Sequence, residues 1–134
     1  EELDAYLVAA IDMFIGEVGI DPRIGDGGRG YRRRVAGLIA AGRAWARFDR
    51  GEVVFKAEVG CTAGGVAQVQ GVYVDPDLRG EGLGTAGMAA VVALVRERVA
   101  GTVSLYVNDW NVAARRAYER VGFRETARFT TIMF

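Results

Sequence analysis

The sequence predicts an α/β fold, strictly α+β: a mixed, mostly antiparallel sheet that contains one parallel βαβ unit and is flanked by helices. Three observations predict it. Apolar residues recur at helical spacing near the start of the chain, and short alternating runs joined by glycine-bearing turns follow. Residues 67–107 then read strand, helix, strand. A chain of 134 residues, 51% hydrophobic with only 2 Pro, suits one folded domain, so residues 1–134 are expected to form a single unit.

The elements follow in order. Leu3, Leu7, Ala10, Phe14 and Val18 make an apolar stripe, so residues 3–18 are expected as an amphipathic helix that Gly19 and Pro22 close. Residues 21–30 hold four Gly and a Pro and read as a loop. A second helix is expected over 31–41, stopped by Gly42. Residues 44–49 and 53–59 read as strands joined at Arg50-Gly51, and 61–65 as a turn. In the strand at 67–74, plain alternation puts Ala67, Val69, Gly71 and Tyr73 on one face. Gln68, Gln70, Val72 and Val74 then take the other. Met88, Val91, Val92, Val95 and Val99 mark a helix within 84–99 that ends before Gly101. The apolar run 103–107 suits a buried parallel strand, reached by a right-handed crossover. A helix over 111–120, ended by Gly122, and a final strand segment over 123–134 complete the chain.

Composition excludes several chemistries. The 17 basic and 17 acidic side chains balance, with a pI near 6.6, which argues against a nucleic-acid partner. With no His, there is no imidazole base, His triad or His metal ligand. Cys61 is the single cysteine and Ser104 the single serine, so neither a disulfide, a cysteine metal cluster nor a nucleophile elbow is expected. No metal is expected. No apolar run spans a bilayer and Glu1-Glu2 is wrong for a signal peptide, so the expected location is cytoplasmic, with no membrane partner. Glu1 in place of Met reads as the start of a fragment. Arg32, Arg33 and Arg34 read as a solvated helix face, Cys61 as an unreactive thiol in or near the core, and Trp45 and Trp110 as packing residues.

The informative segment runs from Val72 through Val74-Asp75-Pro76-Asp77-Leu78-Arg79-Gly80-Glu81-Gly82-Leu83-Gly84-Thr85, from a strand into a helix. Helix-terminal N–H groups, the helix dipole and close backbone approach at glycine make such a turn a phosphate or pyrophosphate site, and Arg79 adds charge. A P-loop is excluded because no Gly is followed by Lys and then Ser or Thr. A dinucleotide fingerprint on Gly82, Gly84 and Gly87 fits poorly, because seven residues separate Val74 from Gly82. The pattern Arg79-x-x-Gly82-x-Gly84 resembles the pyrophosphate loop of the GNAT superfamily of acyl-CoA-dependent N-acyltransferases. The run Asn111 to Phe123, with Ala114, Tyr118 and Gly122, is similar to that superfamily's second cofactor motif. The resemblance covers roughly residues 60–134.

The resemblance implies a GNAT-like domain, with 1–59 as acceptor-side helices and first hairpin and 60–134 as an acetyl-CoA-binding core. It implies an N-acetyltransferase that moves an acetyl group from acetyl-CoA to a primary amine of a small molecule or protein, by direct attack in a ternary complex. It implies that the backbone of Val72, Tyr73 and Val74 pairs with the pantetheine arm. Arg79, Gly80, Glu81, Gly82, Leu83, Gly84 and Thr85 would cradle the pyrophosphate. Asn111 would hold the pantetheine or adenosine-phosphate portion, and Tyr118 would lie by the thioester sulfur. A backbone N–H near Val74 could polarise the carbonyl, and Tyr118 could protonate the leaving thiolate. Gln68 stands where well-characterised members carry a Glu, and an amide cannot accept the proton. Glu58, or a water chain held by Gln68 and Gln70, is left for that role, and the water is favoured. The alternatives are a non-catalytic acyl-CoA-binding or regulatory module of the same fold and, more distantly, a Rossmann-like dinucleotide domain. The reading also allows a preceding domain in a longer natural protein, and a homodimer.

Overall fold

The strand Glu52–Ala63 is the element around which the molecule is built. Every residue from Val53 to Val59 is buried, because helices cover both faces of the sheet there. The computed structural model describes residues 2–128. In order these form α1 (Glu2–Val18), α2 (Arg29–Ala40), β1 (Ala44–Asp49), β2 (Glu52–Ala63) and β3 (Val66–Val74). A 3-10 turn at Pro76–Leu78 leads to α3 (Leu83–Arg98), β4 (Thr102–Leu105) and α4 (Val112–Val121). The sheet has the order β1-β2-β3-β4; the first three strands are antiparallel and β3 pairs with β4 in parallel. This is the mixed sheet with one parallel βαβ unit that the sequence predicts.

Two apolar layers result. On one face Phe55, Ala57, Val59, Ala67 and Val69 meet Met88, Val91 and Val95 of α3, with Tyr118 and Phe123 packed at the margin. On the other, Tyr6, Leu7, Ala9 and Ala10 of α1 and Val35 of α2 cover Val53 and Tyr73. Burying each of the larger side chains contributes about 1.5–3 kcal/mol. α3 sits low on the sheet because Gly87 leaves room for the Phe55 ring, whose tip lies 2.7 Å from where a Cβ would stand. α1 and α2 are joined by an edge-to-face contact of Phe14 and Tyr31, with ring centroids 5.6 Å apart.

Several expectations need correction. The second strand does not stop at residue 59; it continues to Ala63, and only Gly64-Gly65 turn. Cys61, Thr62 and Ala63 find ladder partners in Gln68, Ala67 and Val66, so cross-strand pairing overrides a local composition that reads as a turn. Cys61 is exposed rather than near the core, and Trp110 is 77% exposed. The strand expected over 103–107 ends at Leu105, because β3 offers partners only through Val69. No strand forms over residues 123–128, and the remainder of that expected strand, like the side chain of Val18, lies outside the described residues.

The alternation expected for 67–74 also breaks. Val72 and Val74 pack on the α3 side with Ala67 and Val69, whereas Tyr73 turns to the α1 side. The cause is a bulge. Glu58 pairs with Gln70 but Lys56 pairs with Tyr73, so Gly71 and Val72 together oppose Ala57. Gly71 carries a φ of 61°. A side chain there would be strained and would collide with the Glu58 carboxylate, so the bulge requires glycine.

Candidate active site

β3 and β4 pair over only four steps, Val66–Thr102 to Val69–Leu105, and then part. Beyond that point the β4-facing edge of β3 has no ladder partner among the described strands. The Asp75 N–H donates to the Val54 carbonyl on the β2 side at 2.9 Å. Backbone groups alternate along a strand, so the N–H and C=O of Val74 and of Val72 face the gap instead. Because β3 and β4 are parallel, the helices that follow them both begin at this same end of the sheet, the position where open α/β sheets take ligands.

The segment from Arg79 to Thr85 follows at that end, a loop as far as Gly82 and then the first turn of α3. Arg79 Nε donates to the Val74 carbonyl at 3.1 Å, which folds the loop back onto β3. Gly82 is the N-cap of α3, with φ 80°, and offers no side-chain cap, so the first turn of α3 begins without a side-chain acceptor. Gly84 packs against Val74, whose Cγ2 lies 3.4 Å from where a Cβ on Gly84 would stand. Asn111 caps α4, its Oδ1 accepting from the Ala114 N–H at 3.2 Å. Tyr118 is half-buried on the α3 side, edge-to-face with Phe123 at 6.0 Å.

Glu58 lies on the opposite face, under α1. Its Oε2 accepts from the Tyr6 hydroxyl at 2.8 Å and its Oε1 is 3.8 Å from Lys56 Nζ. Lys56 is fully buried, its ammonium 2.7 Å from the Gly71 carbonyl oxygen and 5.2 Å from the centre of the Tyr6 ring. Burial, and then the Glu58 carboxylate, push the Tyr6 phenol far above its ordinary value of 10, so it stays a hydroxyl donor. Burial likewise raises the Tyr73 phenol, helped by Asp75.

Most of the expected site residues thus fall into two groups on opposite faces of the sheet. Val72, Val74, the loop and Tyr118 share the α3 face or its margin, and Glu58 stands on the α1 face beside the bulge. Gln70 also pairs with Glu58, and its amide lies over Gly60. Gln68 is elsewhere. Its Oε1 accepts from Cys61 Sγ at 3.1 Å, where β3 and β4 are still paired. Three residues at strand rise put Gln68 about 10 Å along the chain from Gly71. Sequence reading did not single out Tyr6 or Lys56 for the site. The available signal was a lone lysine in the apolar run Val53-Val54-Phe55-Lys56-Ala57.

The model of the acetyltransferase (GNAT) family matches residues 26–123, well over half of the chain. The chain belongs to this family. A mycothiol acetyltransferase of Thermobispora bispora is 47% identical over 60 residues, which are 45% of this chain and 20% of that protein. The chain therefore spans only about a fifth of the length of that relative. Solved structures agree in fold. A ribosomal-protein-alanine N-acetyltransferase from Brucella melitensis superposes with a TM-score of 0.76 at 21% identity, covering 94% of this chain and 81% of its own. A predicted acetyltransferase from Clostridium acetobutylicum, crystallised with acetyl-CoA, gives 0.72 at 19% identity, covering 99% and 92%. GNAT membership and the mixed fold accord with the resemblance read from the two motifs.

Proposed function

We propose that this GNAT domain transfers an acetyl group from acetyl-CoA to a primary amine of a small molecule or protein, by direct attack in a ternary complex. The observation that carries the reading is the parting of β3 and β4 after Val69 and Leu105, with two helix N-termini at the same end. The Clostridium acetobutylicum neighbour, crystallised with acetyl-CoA, supports the donor. The names of the mycothiol and ribosomal-protein-alanine acetyltransferases support an acceptor from either a small-molecule or a protein class.

The residues fit the donor. Edge groups of Val72 and the Val74 N–H suit the amides of a pantetheine arm, which would add as a strand, the Val74 carbonyl being shared with Arg79. Residues Arg79 to Thr85 and the uncapped start of α3 suit a pyrophosphate. The Asn111 oxygen is committed to its helix cap, so a ligand contact there falls to its amide nitrogen. The Val72 N–H, aimed into the gap at the bulge, is better placed than Val74 to polarise a thioester carbonyl, leaving Val74 for the arm. Glu58, beside Gly71 on the α1 face, takes the amine proton directly or through water. Tyr118, across the sheet, gives its proton to the departing thiolate. Proton acceptor and proton donor therefore stand on opposite faces of the sheet. The engaged amide of Gln68 supports assigning it to packing rather than to water placement.

Thermal unfolding tests the first step: acetyl-CoA, and not NAD, should raise the Tm. Release of free thiol across a panel of amines tests the second. Failure of every CoA thioester to bind would sink the reading. Binding with no thiol release for any amine would leave a CoA-binding module instead.

A further inference from the structure

We propose that Lys56 is a positioning residue for acyl transfer: its ammonium holds and polarises the Gly71–Val72 peptide, fixing the Val72 N–H toward the gap between β3 and β4. This rests on the acetyl-transfer reading above. Lys56 is the chain's single lysine, and it is wholly buried in the sheet. Burying an ammonium is costly unless it is held by strong partners. One of its partners here is the peptide unit between Gly71 and Val72. Nζ lies 2.7 Å from the Gly71 carbonyl oxygen, 3.8 Å from Glu58 Oε1 and 5.2 Å from the centre of the Tyr6 ring.

That peptide is the one the bulge takes out of step. Gly71 and Val72 share a single partner residue on β2, so the regular ladder does not serve both. The lysine supplies the missing donor. A trans peptide is planar and its C=O and N–H point in opposite directions. Anchoring the Gly71 oxygen toward Lys56 therefore aims the Val72 N–H the other way, and alternation from Val74 gives the same direction. A charged donor on the carbonyl is short and strong, and it draws electron density from the amide, which makes the N–H a better donor in turn. Preorganised donors of this kind act because they need no reorientation as charge develops on the carbonyl oxygen.

The test uses acetyl-CoA labelled with carbon-13 at the thioester carbonyl and reads the carbonyl stretch of the bound molecule by difference infrared spectroscopy. In Lys56→Met, which keeps the volume, the stretch should move to higher wavenumber than in the wild type. kcat should fall at least about tenfold, while the Kd for acetyl-CoA changes little, because the pyrophosphate and pantetheine contacts remain. Lys56→Met/Glu58→Gln removes both charges together, guards against misfolding of the single variant, and is read by the stretch alone. An independent reading on the wild type is the amide proton of Val72, which should move downfield with acetyl-CoA but not with CoA. An unmoved Val72 proton, or an unchanged stretch in a folded variant, overturns the role of Lys56 while leaving acetyl transfer standing. Wild-type protein that binds no acetyl-CoA overturns both.

Discussion

The Tyr6 hydroxyl donates to Glu58 Oε2 at 2.8 Å, tying helix α1 to the central strand across 52 positions of sequence. Both residues are buried, so the bond is made where its loss would leave a carboxylate short of a donor. Tyr6→Phe should destabilise the protein by about 1.5–3 kcal/mol, the range for a hydrogen bond to a charged group. Chemical denaturation measures it. The same bond gives an alkaline dependence. The folded phenol titrates above its ordinary value of 10, so its stabilisation is complete below pH 10 and is lost as pH rises beyond that. Tyr6→Phe should lessen this alkaline loss, the part due to Tyr73 remaining; a variant whose stability still falls as steeply above pH 10 would contradict the assignment to Tyr6.

Gly87 and Gly37 should respond with opposite sign to the same substitution. A Cβ on Gly87 would stand 2.7 Å from the tip of the buried Phe55 ring, so Gly87→Ala forces α3 away from β2. Overpacking of this kind costs about 1–3 kcal/mol. Gly37 lies inside α2 with open space where a Cβ would stand, and there alanine should stabilise by about 0.5–1 kcal/mol. Paired denaturation midpoints give both values, and equal shifts for the two variants would show that α3 can move off the sheet freely.

The contrast between α3 and β3 explains what was legible in the sequence. Met88, Val91 and Val95 announce α3 because a helix keeps its period wherever it packs, and all three are in the core. The period of a strand survives only while no residue is inserted. Gly71 inserts one, and from there every face assignment reverses, so Tyr73 was placed with the wrong layer. The glycine and asparagine motifs were legible because backbone geometry demands those residue types locally: Gly82 starts α3 and Asn111 caps α4. The Tyr6–Glu58–Lys56 cluster was not, because it joins α1 to β2 through space and no spacing rule connects them. Likewise the end of β4 at Leu105 is set by the divergence of β3, not by the apolar Tyr106 and Val107 that follow.

Acid titration should separate two carboxylates, Asp4 on α1 and Asp21 in the loop that follows it. Asp21 accepts three contacts from the Arg23 side chain and one from its backbone N–H, which bring it down to about 2. Asp4 is held below its ordinary 3.8 by a hydrogen bond from Arg32. Both folded values are depressed, so any stabilisation is present above 3.8 and is lost as pH falls below it. Carbon-13 carboxyl shifts followed by NMR should show the Asp21 midpoint near 2. Arg32→Ala should return Asp4 toward 3.8 and leave Asp21 where it is. A joint shift of both would mean that α1, the loop and α2 reorganise as a unit.

Tyr118→Phe should separate chemistry from binding. The ring contact with Phe123 and the packing on the α3 layer survive the change, since only the hydroxyl goes. If Tyr118 protonates the thiolate, kcat falls by about 10²-fold, the low end for general acid catalysis. The Kd for acetyl-CoA, measured by calorimetry, should hardly move. Comparable losses in kcat and affinity would mean that the hydroxyl shapes the pocket instead.

Gly82→Ala should do the reverse. Gly82 starts α3 from a φ of 80°, where an alanine is strained by about 1–2 kcal/mol. Relaxing that strain turns the first N–H groups of α3 away from the loop, and a methyl group stands where a pyrophosphate would approach the backbone. Neither change touches Tyr118 or Glu58. The KM for acetyl-CoA should therefore rise several-fold while kcat at saturation stays near the wild-type value, the pattern expected when binding is lost equally from ground and transition states. Steady-state assays varying acetyl-CoA at a fixed, saturating amine give the two constants separately. A fall in kcat with KM unchanged would place the loop's contribution in the chemical step rather than in holding the donor.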